Sequence, residues 1–359
     1  MRFGNYPISK RNEKQTERAT AETIQKDMAK IITETGNKFK GRSVLITGGA
    51  GFLGSWLCEA VVRSGASATC IDDLSTGRKE NINHLVSKGN SPFKFLKASV
   101  EDVKLKEEYD FILHFASRAS PEEYQQHPIE TLKANSLGTL NLLNHALRDD
   151  ATFLYASTSE VYGDTQIIPT PETYWGNVNP IGVRSCYDEG KRFGEALCVA
   201  YSKENGLDVR LARLFNTYGP KIRADGAYAR ALPRFITQAL RNEPITIYGD
   251  GNQTRSFCYV SDTITGILEL ASAENLKGEV VNIGNPHEIT INQLAETIIR
   301  LTNTKSKIMH LPRQPDDPQK RKPDISKATK LLKWQPKVDL EEGLKKTIEW
   351  FSHHSPKTY

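Results

Sequence analysis

Ser43-Val-Leu-Ile-Thr-Gly-Gly-Ala-Gly-Phe-Leu-Gly54 decides the fold. Ser43–Ile46 reads as a buried strand, Gly48-Gly49-Ala50-Gly51-Phe52-Leu53-Gly54 as the turn after it, and Phe52 to about Ser64 as a helix. Glycines at such a turn permit a tight bend, let the backbone approach a pyrophosphate closely, and allow the helix to pack near the sheet. The helix N-terminus then offers oriented N–H groups and positive dipole to phosphate. A glycine turn alone is weak evidence and could be purely structural. Here Asp72 follows about 20 residues on, at the end of a second strand, Ala68–Ile71, placed to accept hydrogen bonds from an adenosine ribose. Its carboxylate would repel a 2′-phosphate, so NAD is expected rather than NADP; Arg78 and Lys79 are the residues that favour NADP.

Outward from this unit, Phe93–Leu96, Tyr109–Phe115, Thr152–Tyr155 and Val209–Arg213 read as further strands, with helical patterns over Thr131–Arg148 and Tyr187–Glu204. Buried strands alternating with helices predict an α/β fold, a Rossmann-like doubly wound parallel sheet. After Gly219-Pro220 the order becomes irregular, with a short strand at Ile245–Tyr248, a Pro- and charge-rich loop over Pro312–Pro323, and a closing helix from about Leu340 to Phe351. The expected organisation is a polar arm over 1–40, a dinucleotide-binding domain over 41–215, and a smaller substrate-binding lobe over 216–359, some of whose segments return to the first domain. Within the arm, Ile24, Met28, Ile31 and Ile32 recur at helical spacing, which suits either a loosely docked arm or an oligomer contact.

The 359 residues carry a formal charge of only +5, much of it in Lys10-Arg11 and Lys320-Arg321-Lys322. Without a basic stripe interleaved with aromatics, no nucleic-acid partner is expected. Five cysteines are scattered without CxxC spacing, four of them in apolar stretches, which predicts buried free thiols and a reducing, cytoplasmic setting. The eight histidines form no ligand pattern, so no metal is expected. No apolar run reaches membrane-spanning length, and the N-terminus lacks the apolar core of a signal peptide.

Chemistry is suggested by two neighbouring segments. Ser157-Thr158-Ser159-Glu160 follows the fifth strand, so its side chains emerge at a strand's carboxyl end, where open α/β sheets bind ligands. Tyr187 and Lys191, four residues apart, share one helix face. An ammonium beside a phenol stabilises the phenolate and draws its pKa down from about 10. Tyr187 is thereby a candidate base at a carbinol from whose carbon hydride departs, and Glu160 a candidate for a second proton.

GGAGFLG, DDLSTG, STSEVYGD and YDEGK together resemble an extended short-chain dehydrogenase/reductase acting on nucleotide sugars. Tyr174-Trp-Gly-Asn-Val-Asn-Pro-Ile-Gly182, Leu214-Phe-Asn-Thr-Tyr-Gly-Pro220, Gly251-Asn-Gln-Thr-Arg-Ser-Phe257 and Asp316-Asp-Pro-Gln-Lys-Arg-Lys-Pro-Asp-Ile325 narrow the resemblance to the UDP-glucuronate decarboxylases, or UDP-xylose synthases. It runs from about Gly41 to Phe351. The resemblance implies that Tyr187, with Lys191, takes the sugar 4-hydroxyl proton while hydride passes to NAD. The resulting β-keto acid loses carbon dioxide, and NADH returns hydride to C4. It places Glu160 and Ser159 on the C5 and carboxylate side and has Thr158 hydrogen-bond the sugar. It gives Asp73, Ser75, Thr76, Gly77, Ser99 and Val100 to the cofactor beside Gly48, Gly51, Phe52, Leu53, Gly54 and Asp72. Asn216, Lys133 and Tyr248 would line the UDP-sugar cleft, with Arg255 and Arg321 near the diphosphate or reacting sugar. Helices Thr131–Arg148 and Tyr187–Glu204 match those that form a four-helix dimer interface in the superfamily.

Two positions depart from the family pattern. Arg118 stands where the decarboxylases usually have proline, and Glu122-Glu123 replaces a Pro-Asn pair, so Arg118 could bind a substrate carboxylate or pair with Glu122. Ser99 replaces the aspartate that usually meets the adenine amine; its hydroxyl can still accept a hydrogen bond. A 4,6-dehydratase normally has aspartate where this chain has Ser159, and a 4-epimerase normally lacks the glutamate at 160. A non-catalytic NAD or sugar-nucleotide sensor commonly loses the tyrosine or lysine, and both are present.

Overall fold

The computed structural model describes residues 10–86, 91–224, 230–313 and 319–354, with 10–20 as backbone only. Helix α1 (Lys10–Thr35) precedes β1 (Ser43–Thr47), α2 (Phe52–Arg63), β2 (Ser67–Asp72), β3 (Phe93–Lys97) and β4 (Phe111–His114). Two short helices, α3 (Pro121–Gln126) and α4 (Pro128–Lys133), lead through a π-helical turn at Ala134–Gly138 into α5 (Thr139–Asp149). Then come β5 (Thr152–Thr158), a 3₁₀ turn at Ser159–Tyr162, α6 (Ser185–Asn205) and β6 (Val209–Leu214). The remainder is β7 (Thr217–Tyr218), α7 (Ala231–Leu240), β8 (Ile245–Tyr248), β9 (Thr254–Ser256), β10 (Cys258–Tyr259), α8 (Val260–Ser272), β11 (Val280–Ile283), β12 (Glu288–Thr290), α9 (Ile291–Thr302), β13 (Ile308–Leu311), α10 (Ser326–Leu332) and α11 (Leu340–His354).

Seven strands form the main sheet in the order β11-β6-β5-β4-β1-β2-β3, every pairing parallel. Alternation along each strand serves two cores. Val44 and Ile46 join the large core under α2 and α8, while Leu45 joins the one under α5 and α6. The order reverses between β1 and β4, which opens a crevice at their carboxyl ends. The six strands expected before Gly219 are all in this sheet, and the short one expected at Ile245–Tyr248 is β8, which pairs with β13 in a sheet of its own. The seventh, β11, lies beside β6 although a run of lobe elements separates them, so the simple β–α alternation that reveals the others is lost there. The helix expected from Thr131 starts at Pro128 and carries the π turn. Part of the expected Pro312–Pro323 loop, 314–318, lies outside the described residues.

The arm is a packed helix from residue 21 on. Met28 and Ile31 are fully buried, with Ile24 and Ile32 packed beside them, on α8, α11 and α2. Asp27, though charged, is also buried; it accepts hydrogen bonds from Tyr259 Oη at 2.7 Å and Lys346 Nζ at 2.8 Å. Lys30 pairs with Asp262 at 3.3 Å and Lys337 with Glu34 at 2.9 Å. The helix therefore ties the sheet's α2 flank to the C-terminal lobe.

A second tie crosses at Gly219-Pro220-Lys221. Trp56 Nε1 donates to the Pro220 carbonyl at 3.0 Å, and the buried Glu59 of α2 meets Arg63 at 2.7 Å, His84 at 3.0 Å and Lys221 at 3.3 Å. Burial favours the neutral acid, but His84, Lys221 and Arg63 outweigh it and hold the Glu59 pKa at about 2, below its ordinary 4.5. A carboxyl with a depressed folded pKa stabilises the fold above its unfolded pKa and loses that stability as pH falls toward the folded value. Acidification from 4.5 to 2 should thus remove about 3 kcal/mol through this group. Denaturant titrations at stepped pH should show Glu59→Gln less stable than the parent at neutrality, with the gap closing across that window. A gap independent of pH would show that Glu59 is not held as an anion.

Candidate active site

The crevice is a cavity of about 780 Å³ between the strand ends and the lobe. Gly48 has φ +68, and a Cβ there would stand 2.7 Å from the Phe115 carbonyl, so this turn of the loop admits only glycine. A Cβ on Gly54 would collide with the Gly48 carbonyl, which brings α2 hard against the loop. Gly48, Gly51, Phe52, Leu53 and Gly54 form one wall, and Asp72, Asp73, Ser75, Thr76, Ser99 and Val100 continue it. Asp72 accepts from Leu74 N at 2.8 Å and Ala50 N at 3.0 Å; burial still raises its pKa above the usual carboxylate range. Gly77 does not line the cavity. A Cβ on it would stand 2.5 Å from the Asp72 carboxylate, so it shapes the loop over Asp72 instead. A glycine cradle, a helix N-terminus and a carboxylate with lone pairs to spare fit a dinucleotide.

Opposite this wall, the end of β5 and the start of α6 deliver Thr158, Ser159, Glu160, Tyr187 and Lys191 to the same cavity. Lys191 Nζ donates to the Ala156 carbonyl at 2.8 Å and lies 4.8 Å from the Tyr155 ring centroid and 6.0 Å from that of Tyr187. Burial pushes its pKa down to about 7. Burial also pushes the Tyr187 phenol up to about 12, against the pull of Arg230 and a hydrogen bond with Thr158. Burial thus disfavours both the ammonium and the phenolate in this cleft. Both side chains are desolvated there, and the ammonium is turned to a backbone carbonyl. Tyr124 of α3 stacks on Tyr187, with ring centroids 5.0 Å apart and planes within 6°.

Glu160 is not a loose acid/base. Its carboxylate takes Arg321 Nη1 at 2.6 Å and Nη2 at 2.8 Å on one side and Arg184 Nη2 at 2.5 Å on the other. Burial opposes the charge, yet the two guanidinium groups hold its pKa down to about 2. Arg184 was not singled out by sequence. It lies three residues before Tyr187 and four before Asp188, a spacing that puts it on the same face of α6, and that is the signal that could have found it. Arg230 and Tyr124 are further lining residues without a sequence pattern of their own.

Asn216, Tyr248, Arg255 and Arg321 line the cavity, as the resemblance implied. Arg234 covers the Tyr248 ring at 4.8 Å, and Arg255 Nη1 donates to the Thr254 carbonyl at 2.8 Å. Lys133 does not join them; at the end of α4 it is exposed and outside the lining. Arg118 lines the cavity but pairs with Glu123, at 3.1 Å, rather than with Glu122. The helical register of α3 decides this, since its first turn presents Glu123 toward the Arg118 loop and Glu123 also meets Arg223 at 3.6 Å. Asp316-Asp317-Pro318 of the longest motif lie outside the described residues. Among the described residues no three His, Cys, Asp or Glu side chains stand together as metal ligands, and no helix is long and apolar enough to cross a membrane.

The model of the NAD dependent epimerase/dehydratase family matches residues 44–284. The chain is 49% identical over 311 residues to UDP-glucuronic acid decarboxylase 1 of Danio rerio, covering 87% of this chain and 73% of that protein. It is 48% identical over 302 residues to UDP-glucuronic acid decarboxylase 3 of Arabidopsis thaliana, covering 84% and 86%. Among solved structures it is similar to a UDP-glucuronic acid 4-epimerase mutant of Bacillus cereus in complex with UDP-4-deoxy-4-fluoro-glucuronic acid and NAD. That match has TM-score 0.77 and 29% identity, over 86% of this chain and 98% of the other.

Gly48→Ala puts a side chain into the left-handed region, a cost of about 1–2 kcal/mol before the contact with Phe115 is counted. The variant should bind NAD at least ~10-fold more weakly in a fluorescence titration. Unchanged affinity would show that the loop does not hold the dinucleotide.

Proposed function

The chain belongs to the NAD dependent epimerase/dehydratase family, among the UDP-glucuronic acid decarboxylases, and from that premise we propose that it converts UDP-glucuronate to UDP-xylose with retained NAD. The observation that carries this reading is the placing of Tyr187 and Lys191 in one cavity with a carboxylate, Glu160, gripped by two arginines. NAD rather than NADP is favoured by Asp72, whose buried carboxylate occupies the wall where a 2′-phosphate would meet it. NAD, which Gly48, Gly51, Phe52, Leu53, Gly54 and Asp72 would hold, would supply a reversible hydride acceptor for C4.

Tyr187 takes the proton of the sugar 4-hydroxyl as the C4–H bond breaks. Thr158 and Arg230 lower its phenol pKa against burial, and Lys191 Nζ lies 6.0 Å from the ring centroid. The C4 ketone lies β to the C5 carboxylate, so the C5–carboxylate bond breaks with its electrons delocalised onto the ketone oxygen. Ser159 and Glu160 face this side, and a proton then enters at C5. Tyr187 would give its proton back to the C4 oxygen as that carbon is reduced again. One proton is consumed and one carbon dioxide released. Asn216, Tyr248 and Arg255 hold the nucleotide diphosphate, with Arg321 shared between Glu160 and the sugar. Ser159, where a dehydratase would carry an acid, and Glu160, which an epimerase would lack, favour decarboxylation over those reactions.

Residues 41–215 form the NAD-binding part and 216–359 mainly the sugar-nucleotide part, with β11 returning to the sheet. The protein is a homodimer in this reading, paired through α4, α5 and α6 into a four-helix bundle. Ile129, Leu132, Leu137, Leu140, Leu147 and Phe193 are apolar yet exposed on these helices, which supports such a face. Five free, buried thiols suit the cytoplasm.

Incubating the purified chain with UDP-glucuronate should give a UDP-pentose and carbon dioxide by mass analysis, without added cofactor. A hexuronate of unchanged mass would sink the reading. Tyr187→Phe should lower turnover by at least ~10²-fold while UDP binding survives. Sedimentation should show a dimer that Leu137→Glu with Phe193→Glu converts to monomer; a parental monomer would refute the bundle.

A further inference from the structure

Asp188 is used by none of the steps above, yet it sits beside Glu160. It lies in the first turn of α6, buried, with Oδ1 lacking any hydrogen-bond partner and Oδ2 3.9 Å from Arg184 Nε. Arg184 therefore stands between two carboxylates and spends its close contact on Glu160, at 2.5 Å. The charged and titratable groups that face Asp188 are Cys186, Tyr187 and Glu189 on its own helix, Arg184 just before it, Glu160 from the turn after β5, and Arg321 from the loop after β13. Tyr124 of α3 stands close by, and its buried hydroxyl also lacks a partner. An anionic oxygen buried without a donor is costly, whereas a carboxylic acid in the same place is much less so. Burial first, and then the charge of Glu160, raise the Asp188 pKa to about 7.

The charges then count as follows. Arg184 and Arg321 bring two positive charges, Glu160 one negative, and a protonated Asp188 none. Resting on the reading that the sugar is a uronate, we infer that Asp188 is a specificity-determining residue. While it keeps its proton, the Arg184–Arg321–Glu160 cluster holds one unmatched positive charge, and the substrate carboxylate supplies the missing negative one. With Asp188 ionised the cluster is already neutral, and a uronate adds an uncompensated anion to a desolvated site. A sugar nucleotide without the carboxylate is indifferent to the change.

Binding of UDP-glucuronate and UDP-glucose to the NAD-loaded Tyr187→Phe chain, measured calorimetrically from roughly pH 6 to 8.5, tests this. UDP-glucuronate affinity should fall about tenfold across the range, with proton uptake on binding, and UDP-glucose affinity should stay flat. Lys191 titrates in the same window, but a slope from it would appear with both sugars. In Asp188→Asn, which is always neutral, UDP-glucuronate should keep its low-pH affinity throughout. Equal slopes for the two sugars, or a uronate slope that survives Asp188→Asn, overturn the inference. Should Asp188→Asn fail to fold, proton uptake by the Asp188-bearing chain decides: selective uptake with the uronate supports it, equal or absent uptake refutes it. Turnover of UDP-glucuronate with pH-independent affinity refutes the role of Asp188 alone, whereas no binding of UDP-glucuronate refutes both this and the proposed activity.

Discussion

The Glu160 carboxylate accepts hydrogen bonds from guanidinium groups that arrive by separate routes, Arg184 from the residue before α6 and Arg321 from the loop after β13. Glu160 itself leaves the sheet at the end of β5. These two ion pairs thus join the start of α6, the central sheet and the C-terminal lobe at the cleft. Removing either arginine would leave a buried, partly unmatched carboxylate, the costly half of a buried ion pair. Neighbouring contacts depend on this anchor. The parallel bridge between Thr170 and Pro323 and the hydrogen bonds from Asn282 Nδ2 to the Thr170 and Asp324 carbonyls hold the Arg321 loop against the sheet edge at β11.

Around that anchor, burial sorts the ionisable groups by what they touch. Glu160 and Glu59, each supplied with cations, stay anionic to about pH 2, while Asp188, with one distant arginine and an orphan oxygen, rises to about 7. His114, buried between the Thr47 and Thr139 hydroxyls at 2.8 and 3.1 Å, falls to about 3 and is a neutral structural side chain. Desolvation disfavours the charged form in all four; cationic partners overturn it in Glu160 and Glu59 but not in Asp188 or His114. A sugar nucleotide therefore enters a cleft whose fixed charges are already arranged, with Arg118 held by Glu123 at the rim and Arg230 donating to the Ala119 carbonyl at 2.8 Å.

The dinucleotide half was legible because its constraints are local. A strand, a glycine turn, a helix and an acid at the next strand's end are consecutive features, and each has its own periodic or steric signature in the chain. Strand β11 escaped because Val280–Ile283 is four residues long and follows the irregular lobe, where no helix–strand rhythm marks it. Arg184 and Asp188 escaped for a different reason. Only its spacing to Tyr187 and Asp188 marks Arg184 in the sequence, and its meaning arises where Glu160 and Arg321 converge in space. Lys133 shows the converse limit, since resemblance supplies a position along α4 but not the direction of its side chain, which is outward. The arm looked peripheral because it is polar, yet Asp27 inside it is one of the buried charges of the fold.

The Tyr187–Lys191 pair shows how much of a site spacing carries and how much solvation decides. Four-residue spacing brings both side chains to one face and into the cleft, while spacing says nothing about solvation. With water excluded, the lysine falls to about 7 and the phenol rises to about 12, so each group alone is further from its charged form than in water. The proposed proton transfer from a 4-hydroxyl draws on neighbouring charges to shift those levels. Arg230 and Thr158 already act in that direction, and Glu160 acts against it. The same arginine grip that keeps Glu160 anionic also screens its charge from the phenol. In the proposed reaction, the clamp that organises the cleft thereby also favours Tyr187 as the base.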